Sequence, residues 1–567
     1  MPLKLFKKNN KKINFKFFDG ESLKQAQRRI LFSASLIILI YICVLIRLTD
    51  LMVISNLFLE EDKNIIENEI LIQAERGDIY DRNGNLLATT IRSYSLAARP
   101  KLIKNKHKTA KELKKIINYS EEKILKKITS NASFVWIKRD ITPRENFRIN
   151  SIGEVGLQII KEKKRIYPYG SLASHIIGFT DIDESPLSGI EKGLNEKLKN
   201  NEDIYLSIDV NLQHIVFEEL KNAINKFDAD GGTSIIVDIL SGQVLAASSM
   251  PNFDPNNINL YPKKNLFNSF SQGVYEMGST FKPITMAIGY DSNIINDKDL
   301  FEVNKPIKVD KHTINDFYEL EGPLTVKEII VNSSNIGTAK IAEKIGKKIQ
   351  KNYLEKFGLL ERQILEIPET ATPLFPKPWL PVNTMTIGYG YGISISPIQL
   401  CSVYSTLVNG GIPVKTTLLK NSEKEYYSRV IKEGTSYKIR ELLKAVILET
   451  KWTGPRAKVV GYEVGGKTGT AELIENSSYH KKANLSSFIG VFPISNPKYV
   501  ILTMIKNPKG IEETHYITTG AWVAAPVVAN IIKRMVKVLS IPPKEKEYIY
   551  NADFDKNNLK GNNIAIN

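Results

Sequence analysis

A serine three residues ahead of a lysine stands at the centre of the chain, in the stretch Gly278-Ser279-Thr280-Phe281-Lys282-Pro283. The stretch reads as a tight turn running into a helix. Gly278 supplies backbone freedom, Ser279 can open the helix, and Pro283 is tolerated only in a first turn. Apolar residues follow at Ile284, Met286, Ala287 and Ile288. Three residues make about one helical turn, so Lys282 lies over the same face as Ser279. A hydroxyl beside an amine at a helix N-terminus can be an activated nucleophile: the amine takes the proton and the helix dipole favours the alkoxide. Alone the pair is a weak signal. Ser120/Lys123, Ser478/Lys481 and Ser495/Lys498 repeat the spacing without a comparable apolar helix behind them.

Two later stretches strengthen it. Ser333-Ser334-Asn335 follows the apolar run Ile329-Ile330-Val331, and Lys467-Thr468-Gly469-Thr470 follows Val464-Gly465-Gly466. Ser-x-x-Lys, then Ser-x-Asn, then Lys-Thr-Gly, in that order, resembles the signature of penicillin-binding proteins and active-site-serine β-lactamases. Peptide-bond exchange through an acyl-enzyme needs a nucleophile, a base, a proton path, an oxyanion site and a substrate clamp. In this reading Ser279 is the nucleophile and Lys282 the base. An ordinary lysine titrates near pH 10.4, so Lys282 must be pushed down, and burial plus a second cation at Lys467 would do so. Ser333 can relay a proton to the leaving amine, and Asn335 offers a donor and an acceptor to a substrate amide. Lys467 to Thr470 reads as a strand edge in which Gly469 leaves room for substrate backbone. The resemblance further implies an oxyanion hole from the N–H groups of Ser279 and Thr470. It also implies a clamp of Lys467, Thr468 and Thr470 on the terminal carboxylate of a D-Ala-D-Ala stem. Met277 departs from the family, which commonly has proline there; the turn is still expected to form.

The elements that must position these residues can be read in order. Residues 1–29 are polar and basic, and Ile30 to Ile46 is uncharged and mostly aliphatic. That run spans about 25 Å, slightly short of a hydrocarbon core of roughly 30 Å, and Leu51 to Ile54 can extend it. A cleaved signal peptide fits poorly, so an uncleaved anchor over 30–54 is expected, with the tail cytoplasmic and the remainder outside. Asn83-Gly84, between short apolar runs, predicts a hairpin with a type I′ turn. The surrounding Arg76-Gly77-Asp78-Ile79-Tyr80-Asp81-Arg82-Asn83-Gly84 resembles the start of the pedestal domain of class B penicillin-binding proteins. Arg165-Ile166-Tyr167-Pro168-Tyr169-Gly170, His175 to Thr180 and Gly189-Ile190-Glu191-Lys192-Gly193-Leu194 resemble that family too. Small lysine-rich helices are expected over 107–150. The second domain should open at Ile204, with an amphipathic helix after Asp209 and antiparallel strands at Ser234–Asp238 and Val244–Ser248. Further strands are expected at Phe488–Phe492 and Tyr499–Ile505, and a closing helix at Pro526–Val538.

The expected fold is therefore α+β: an anchor, an elongated β-rich pedestal of dimerisation type over 70–200, and a transpeptidase domain over 204–540. In the latter an antiparallel sheet carries helices on both faces beside an all-helical region, and 541–567 should be a disordered tail.

Bulk composition narrows the alternatives. The chain has 567 residues, 42% hydrophobic and 25% charged, which suits several globular domains. The net charge of +17 comes disproportionately from the basic tail, and no aromatic-interleaved basic face argues for nucleic acid. Cys43 and Cys401 are too few for a zinc cluster and are not expected to pair. His175 has no companion ligands and reads as structural; no metal or cofactor is expected. Gly388-Tyr389-Gly390-Tyr391-Gly392 lacks the strand and Lys-Ser/Thr of a phosphate loop.

The resemblance implies a D,D-transpeptidase that cross-links peptidoglycan stem peptides and is acylated by β-lactams. It sits in the inner (cytoplasmic) membrane with the catalytic domain periplasmic or otherwise extracytoplasmic. A membrane glycan polymerase and other division proteins are implied as partners. The Phe179-Thr180 motif, the length and the single anchor resemble the septal, cell-division branch more than the elongation branch. The rivals are an elongation-type enzyme, a β-lactamase or β-lactam sensor, and a non-catalytic division scaffold. Glu191-Lys192-Gly193-Leu194-Asn195 mimics a hydrolase Glu-x-x-Leu-Asn pattern but precedes Ser279, and Ser334 stands where class A hydrolases carry aspartate.

Overall fold

A computed structural model of the chain describes residues 20–49, 76–309, 312–420, 428–451, 453–475 and 478–544. Its contacts divide into two units, 1–74 and 75–567.

In the first unit, helix α1 (Gly20–Thr49) contains an apolar stretch of 23 residues, Gln27–Thr49. At 1.5 Å per residue that is about 34 Å, enough for a hydrocarbon core. Two of its hydroxyls are spent on its own backbone: Ser35 Oγ donates to Leu31 O at 2.8 Å and Thr49 Oγ1 to Leu45 O at 3.0 Å. That suits apolar surroundings, where no water is available to receive them. The helix begins inside the stretch expected as a polar tail, while residues 50–54 of the expected span lie outside the described residues.

The second unit opens with the hairpin of β1 (Ile79–Tyr80) and β2 (Leu86–Ala98). Its turn is not type I′, because only Gly84 takes a positive φ, +86°. The reason is Asp81, whose Oδ1 accepts the N–H groups of Asn83 and Asn85, each at 2.8 Å, and so closes a longer side-chain-templated loop. Beyond the hairpin, α2 (Lys106–Lys114), α3 (Glu121–Ile128) and α4 (Pro143–Asn150) supply the expected small helices. Between them runs a strand absent from the sequence reading, β3 (Val135–Ile141), which pairs with β2. The return strand β4 (Leu157–Ile166) runs antiparallel to β2 from Ala98↔Leu157 to Thr89↔Ile166.

Two cores result. Leu96, Leu113, Ile124, Ile137 and Ile149 close a head of their own. Leu87 and Ala88, lower on β2, join the main core with Leu206 and Ile208. A charged latch ties this base together. Glu191, fully buried, accepts from Arg76 Nε and Arg165 Nε, both at 2.7 Å, and Arg165 Nη2 donates to Gly77 O at 2.9 Å. Three separate sequence stretches thus converge on one carboxylate.

Next, β5 (Ile204–Tyr205) pairs parallel with β1. Helix α5 (Val210–Lys226) starts where Asp209 caps the N–H groups of Asn211 and Leu212, and buries Leu212, Ile215, Val216, Leu220 and Ala223 at helical spacing. Strands β6 (Gly231–Asp238) and β7 (Val244–Met250) are the expected antiparallel pair. The helical region comprises α6 (Lys282–Asp291), α7 (Val326–Val331), α8 (Asn335–Lys356), α9 (Pro381–Gly388), α10 (Pro397–Val408) and α11 (Glu433–Glu449). It is not all-helical as expected, because between α6 and α7 the chain forms two short antiparallel pairs, Leu300–Glu302 with Pro323–Thr325 and Ile307–Val309 with His312–Ile314. The chain then returns to the sheet through β8 (Gly465–Glu475), β9 (Ser478–Phe492) and β10 (Tyr499–Lys506), and ends on α12 (Ala524–Val538).

The strand order β8-β9-β10-β6-β7 is antiparallel throughout and puts β8 at an edge. Residues Ile235 to Val237 are wholly buried, as a central strand covered on both faces demands. After α12 the chain does not become a free tail at once. Tyr462 Oη donates to Ile541 O at 2.9 Å and Lys544 N to Gly461 O at 2.9 Å, so residues 541–544 are held against the domain.

Candidate active site

Ser279 lies in a single 3-10 turn, Gly278–Phe281, that runs directly into α6. The Lys282 N–H donates to Ser279 O, so the two residues stand one turn apart, as the sequence suggests. Gly278 takes φ +50°, the left-handed conformation the turn requires. Several elements fasten this turn. Gly278 N donates to Gly390 O at 3.2 Å, and Gly392 N donates to Glu276 Oε1 at 2.6 Å. Tyr404 Oη donates to Thr280 O at 2.6 Å, and Thr280 Oγ1 to Met277 O at 2.7 Å. A methyl on Gly390 would lie 2.1 Å from Gly278 O. The glycine-rich stretch 388–392 is therefore the support of the serine turn. Met277, in place of the family's proline, is buried at φ −85° and the turn forms around it. Ser279 itself is only half-buried, unlike Gly278 and Thr280 beside it.

Lys282 is wholly buried, and its Nζ donates to Ser333 O and, at 3.1 Å, to Ser333 Oγ. Lys467, 1% exposed on β8, donates to the same Oγ at 3.0 Å and to Thr468 O at 3.2 Å. Burial pushes Lys282 well below the ordinary lysine range; the Lys467 ammonium pushes the same way, and the Asp316 carboxylate opposes them. Burial brings Lys467 down to about 7. A neutral amine near physiological pH is thus accessible where an exposed lysine would stay protonated.

Ser333 follows α7 in the left-handed conformation, φ +57°, which a non-glycine residue holds only when its surroundings enforce it. Ser334 caps α8, accepting from Gly337 N at 2.9 Å. Asp316 receives Ser334 Oγ at 2.7 Å, Ile336 N at 3.1 Å and also Asn335 N. No sequence signal flagged Asp316, which lies in irregular chain ahead of α7. Asn335 does not stand free, because its Nδ2 donates to Asn315 O at 2.9 Å.

On β8 the expected edge position is found. A Cβ on Gly469 would lie 2.5 Å from Ser487 Oγ and 2.9 Å from Met277 O, so the glycine admits the serine turn beside the strand. Thr470 Oγ1 accepts from Gly520 N at 3.1 Å. Thr468 and Thr470 are half-buried on this edge, and the register shifts beyond them, between Glu472, opposite Asn484, and Leu473, opposite His480.

Elsewhere, His175 hydrogen-bonds to Asn265 O at 2.8 Å, and burial drives it down to about 4, consistent with a packing role. Among the described residues no cluster of His, Cys, Asp or Glu could hold a metal ion. Glu191, of the hydrolase-like pattern, is committed to Arg76 and Arg165.

Residues 232–533 match the model of the penicillin binding protein transpeptidase domain, and residues 71–207 match the penicillin-binding protein dimerisation domain. The chain is 31% identical to the probable peptidoglycan D,D-transpeptidase FtsI of Caulobacter vibrioides, over 86% of this chain and 85% of that one. It is 32% identical to the stage V sporulation protein D of Bacillus subtilis, over 84% and 81% respectively. With the peptidoglycan D,D-transpeptidase FtsI of Buchnera aphidicola subsp. Schizaphis graminum it shares 30% identity, over 90% and 94%. A solved structure of a peptidoglycan synthetase from Bifidobacterium adolescentis superposes with a TM-score of 0.66 at 20% identity, covering 84% of this chain and 97% of that one, a likeness of fold. The chain belongs to the penicillin-binding protein transpeptidases, in the class B arrangement of a dimerisation domain ahead of the transpeptidase domain.

Proposed function

We propose that this chain is a serine-type peptidoglycan D,D-transpeptidase of septal wall synthesis, working through an acyl-enzyme on Ser279. The Ser279 oxygen attacks the carbonyl of the penultimate D-Ala of a stem peptide while Lys282 takes the hydroxyl proton. Ser333 passes a proton to the departing nitrogen, and the terminal D-Ala leaves. An amine from a second stem then attacks the ester, forming the cross-link and freeing Ser279. The N–H groups of Ser279 and Thr470 receive the developing oxyanion, and Lys467, Thr468 and Thr470 hold the donor carboxylate. Asn335 offers its side-chain oxygen to the donor amide, its nitrogen being engaged by Asn315. β-Lactams enter the same path by ring opening.

The observation that carries this reading is the meeting of two buried lysines on one hydroxyl, Lys282 and Lys467 on Ser333, with Lys282 itself one turn from Ser279. Family membership supports the substrate class, and the relatives named FtsI support the septal branch. Glu191, locked between two arginines, is unsuited to activating a deacylating water, which counts against a hydrolase.

In the organisation proposed, 1–29 is a cytoplasmic tail, α1 is the single-pass anchor and the pedestal over 70–200 carries the transpeptidase domain over 204–540 outside the cytoplasm. Glycan polymerisation falls to a separate membrane enzyme. A reporter fused after Asp50 checks the topology, and activity in the cytoplasm would reverse it.

The test of the chemistry is labelling with fluorescent penicillin followed by peptide mapping. A long-lived adduct on Ser279, lost in Ser279→Ala, is expected. Rapid drug turnover would point to a hydrolase, and absence of label on folded protein to a scaffold. A tagged chain should gather at the division site; a lateral-wall pattern would assign it to elongation.

A further inference from the structure

The Ser333 hydroxyl meets both lysines only because its backbone sits in a left-handed conformation between α7 and α8. Helix α7 is fixed by a capping box of Thr325 and Glu328, which places the residues leading into this turn. The residues leaving it are held from outside. The half-buried Asp316 side chain takes up Ser334 Oγ with one oxygen and the N–H groups of Asn335 and Ile336 with the other. Those are the first donors of α8, and they would otherwise present the positive end of a long helix beside two buried ammonium groups.

We propose that Asp316 is a positioning residue for the proton path: its carboxylate clamps the start of α8 so that Ser333 faces both lysines, and its negative charge offsets theirs. This rests on the acylation reading given above. Lys282 faces Ser333 at the α7–α8 turn and feels Lys467 on β8 and Asp316 ahead of α7, the charged groups acting on it among the described residues. Lys467 contacts Ser333 and Thr468 O. Asp316 contacts Ser334, Asn335 and Ile336. Without the carboxylate, protonated Lys282 has no counter-charge in this set. It then loses its proton at a lower pH.

Two substitutions separate clamp from charge. Asp316→Asn keeps the shape and an oxygen for the Asn335 and Ile336 N–H groups but removes the charge. Asp316→Ala removes both. The readout is the rate of acylation of the purified full-length protein by fluorescent penicillin, followed against pH. For Asp316→Asn the acid limb of the profile should move to lower pH by roughly half a unit or more, with a plateau of the same order as the parent. For Asp316→Ala the plateau should fall on the order of a hundredfold, the usual effect of a catalytic group displaced by about an ångström. An Asp316→Asn profile that superimposes on the parent would overturn the proposal, and so would an Asp316→Ala protein that acylates at the parent rate. Should Asp316→Ala fail to fold, the Asp316→Asn profile decides. Failure of the parent itself to be labelled at Ser279 removes the acylation reading and this inference with it; a labelled parent with an unmoved profile removes only the inference.

Discussion

Lys467 Nζ stands 3.0 Å from the Ser333 hydroxyl although 134 residues separate the two in the chain. The same oxygen receives Lys282 at 3.1 Å. A hydroxyl has two acceptor sites and one proton, so both acceptor sites are filled and its proton is directed elsewhere. Such a hydroxyl can pass a proton toward a departing nitrogen and be resupplied from an ammonium.

The first prediction concerns pH. A base acts deprotonated, so acylation must rise with pH as the lysine pair loses protons. Lys467 titrates at about 7, and Lys282 lies well below the ordinary range. The acid limb of the acylation rate should therefore lie well below the range of an ordinary lysine. An unperturbed lysine would place it near pH 10.4, and a measured limb there would mean that neither buried amine is the base.

A second prediction separates catalysis from stability at Lys282. The ammonium is fully buried and, among the described residues, its hydrogen bonds go to Ser333 alone. Methionine has a similar length and no desolvation cost. Lys282→Met should abolish penicillin labelling while thermal unfolding stays level or moves upward, as when a strained functional group is removed from a site. Retained labelling would remove Lys282 from the mechanism; a sharp fall in melting temperature would show that the buried amine stabilises the fold.

How far the sequence carried depends on what kind of signal each residue leaves. Ser279, Lys282, Ser333 and Lys467 are chemically distinctive and occur in a fixed order, so their meeting could be anticipated. Ile235 to Val237 declared a buried strand through an unbroken apolar run. Asp316 left no trace, because a carboxylate capping a helix from irregular chain has neither periodicity nor fixed spacing. Gly469 was legible as a required glycine, but whether substrate or protein fills the space beside it depends on long-range packing. The turn at Asn83-Gly84 misled because Asp81, two residues earlier, outcompetes the two-residue hairpin by offering its own acceptor. Strand β3 was hidden among lysine-rich helices, because its own sequence lacks alternation and its pairing with β2 is irregular, with register shifts between Tyr94 and Leu96 and between Leu96 and Ala97.

The third prediction concerns the latch at the base of the pedestal. Glu191 satisfies Arg76 and Arg165 without contact with water. Glu191→Gln leaves Arg76 with a neutral partner and Arg165 with the more distant Asp78 carboxylate at 4.0 Å; breaking a buried ion pair in this way typically costs about 3–5 kcal/mol. The denaturant midpoint should fall accordingly. The fraction that remains folded should still be labelled at the parent rate, since neither arginine touches the serine turn. A slowed acylation rate at equal folded fraction would instead join the pedestal to the chemistry.

The last prediction tests why β8 carries a glycine beside its threonines. A methyl on Gly469 would lie 2.5 Å from Ser487 Oγ, which can rotate away, but also 2.9 Å from Met277 O and 3.0 Å from Thr280 Cγ2. The Met277 carbonyl belongs to the turn that carries Ser279 and already accepts the Thr280 hydroxyl at 2.7 Å, so it cannot yield without moving the nucleophile. Gly469→Ala should therefore push the strand edge from the turn and misplace the Thr470 N–H relative to Ser279. Loss of one oxyanion donor costs on the order of a hundred- to a thousandfold in rate, and a fall of that size in acylation is expected. The accompanying overpacking should cost about 1–3 kcal/mol of stability. Gly434→Ala serves as the control: nothing lies within 4 Å of its added methyl at the start of α11. That substitution should leave acylation unchanged and raise stability slightly, by at most about 1 kcal/mol. Equal acylation rates for the two variants would mean that the serine turn tolerates a displaced strand, and that the oxyanion is held by groups other than the Thr470 backbone.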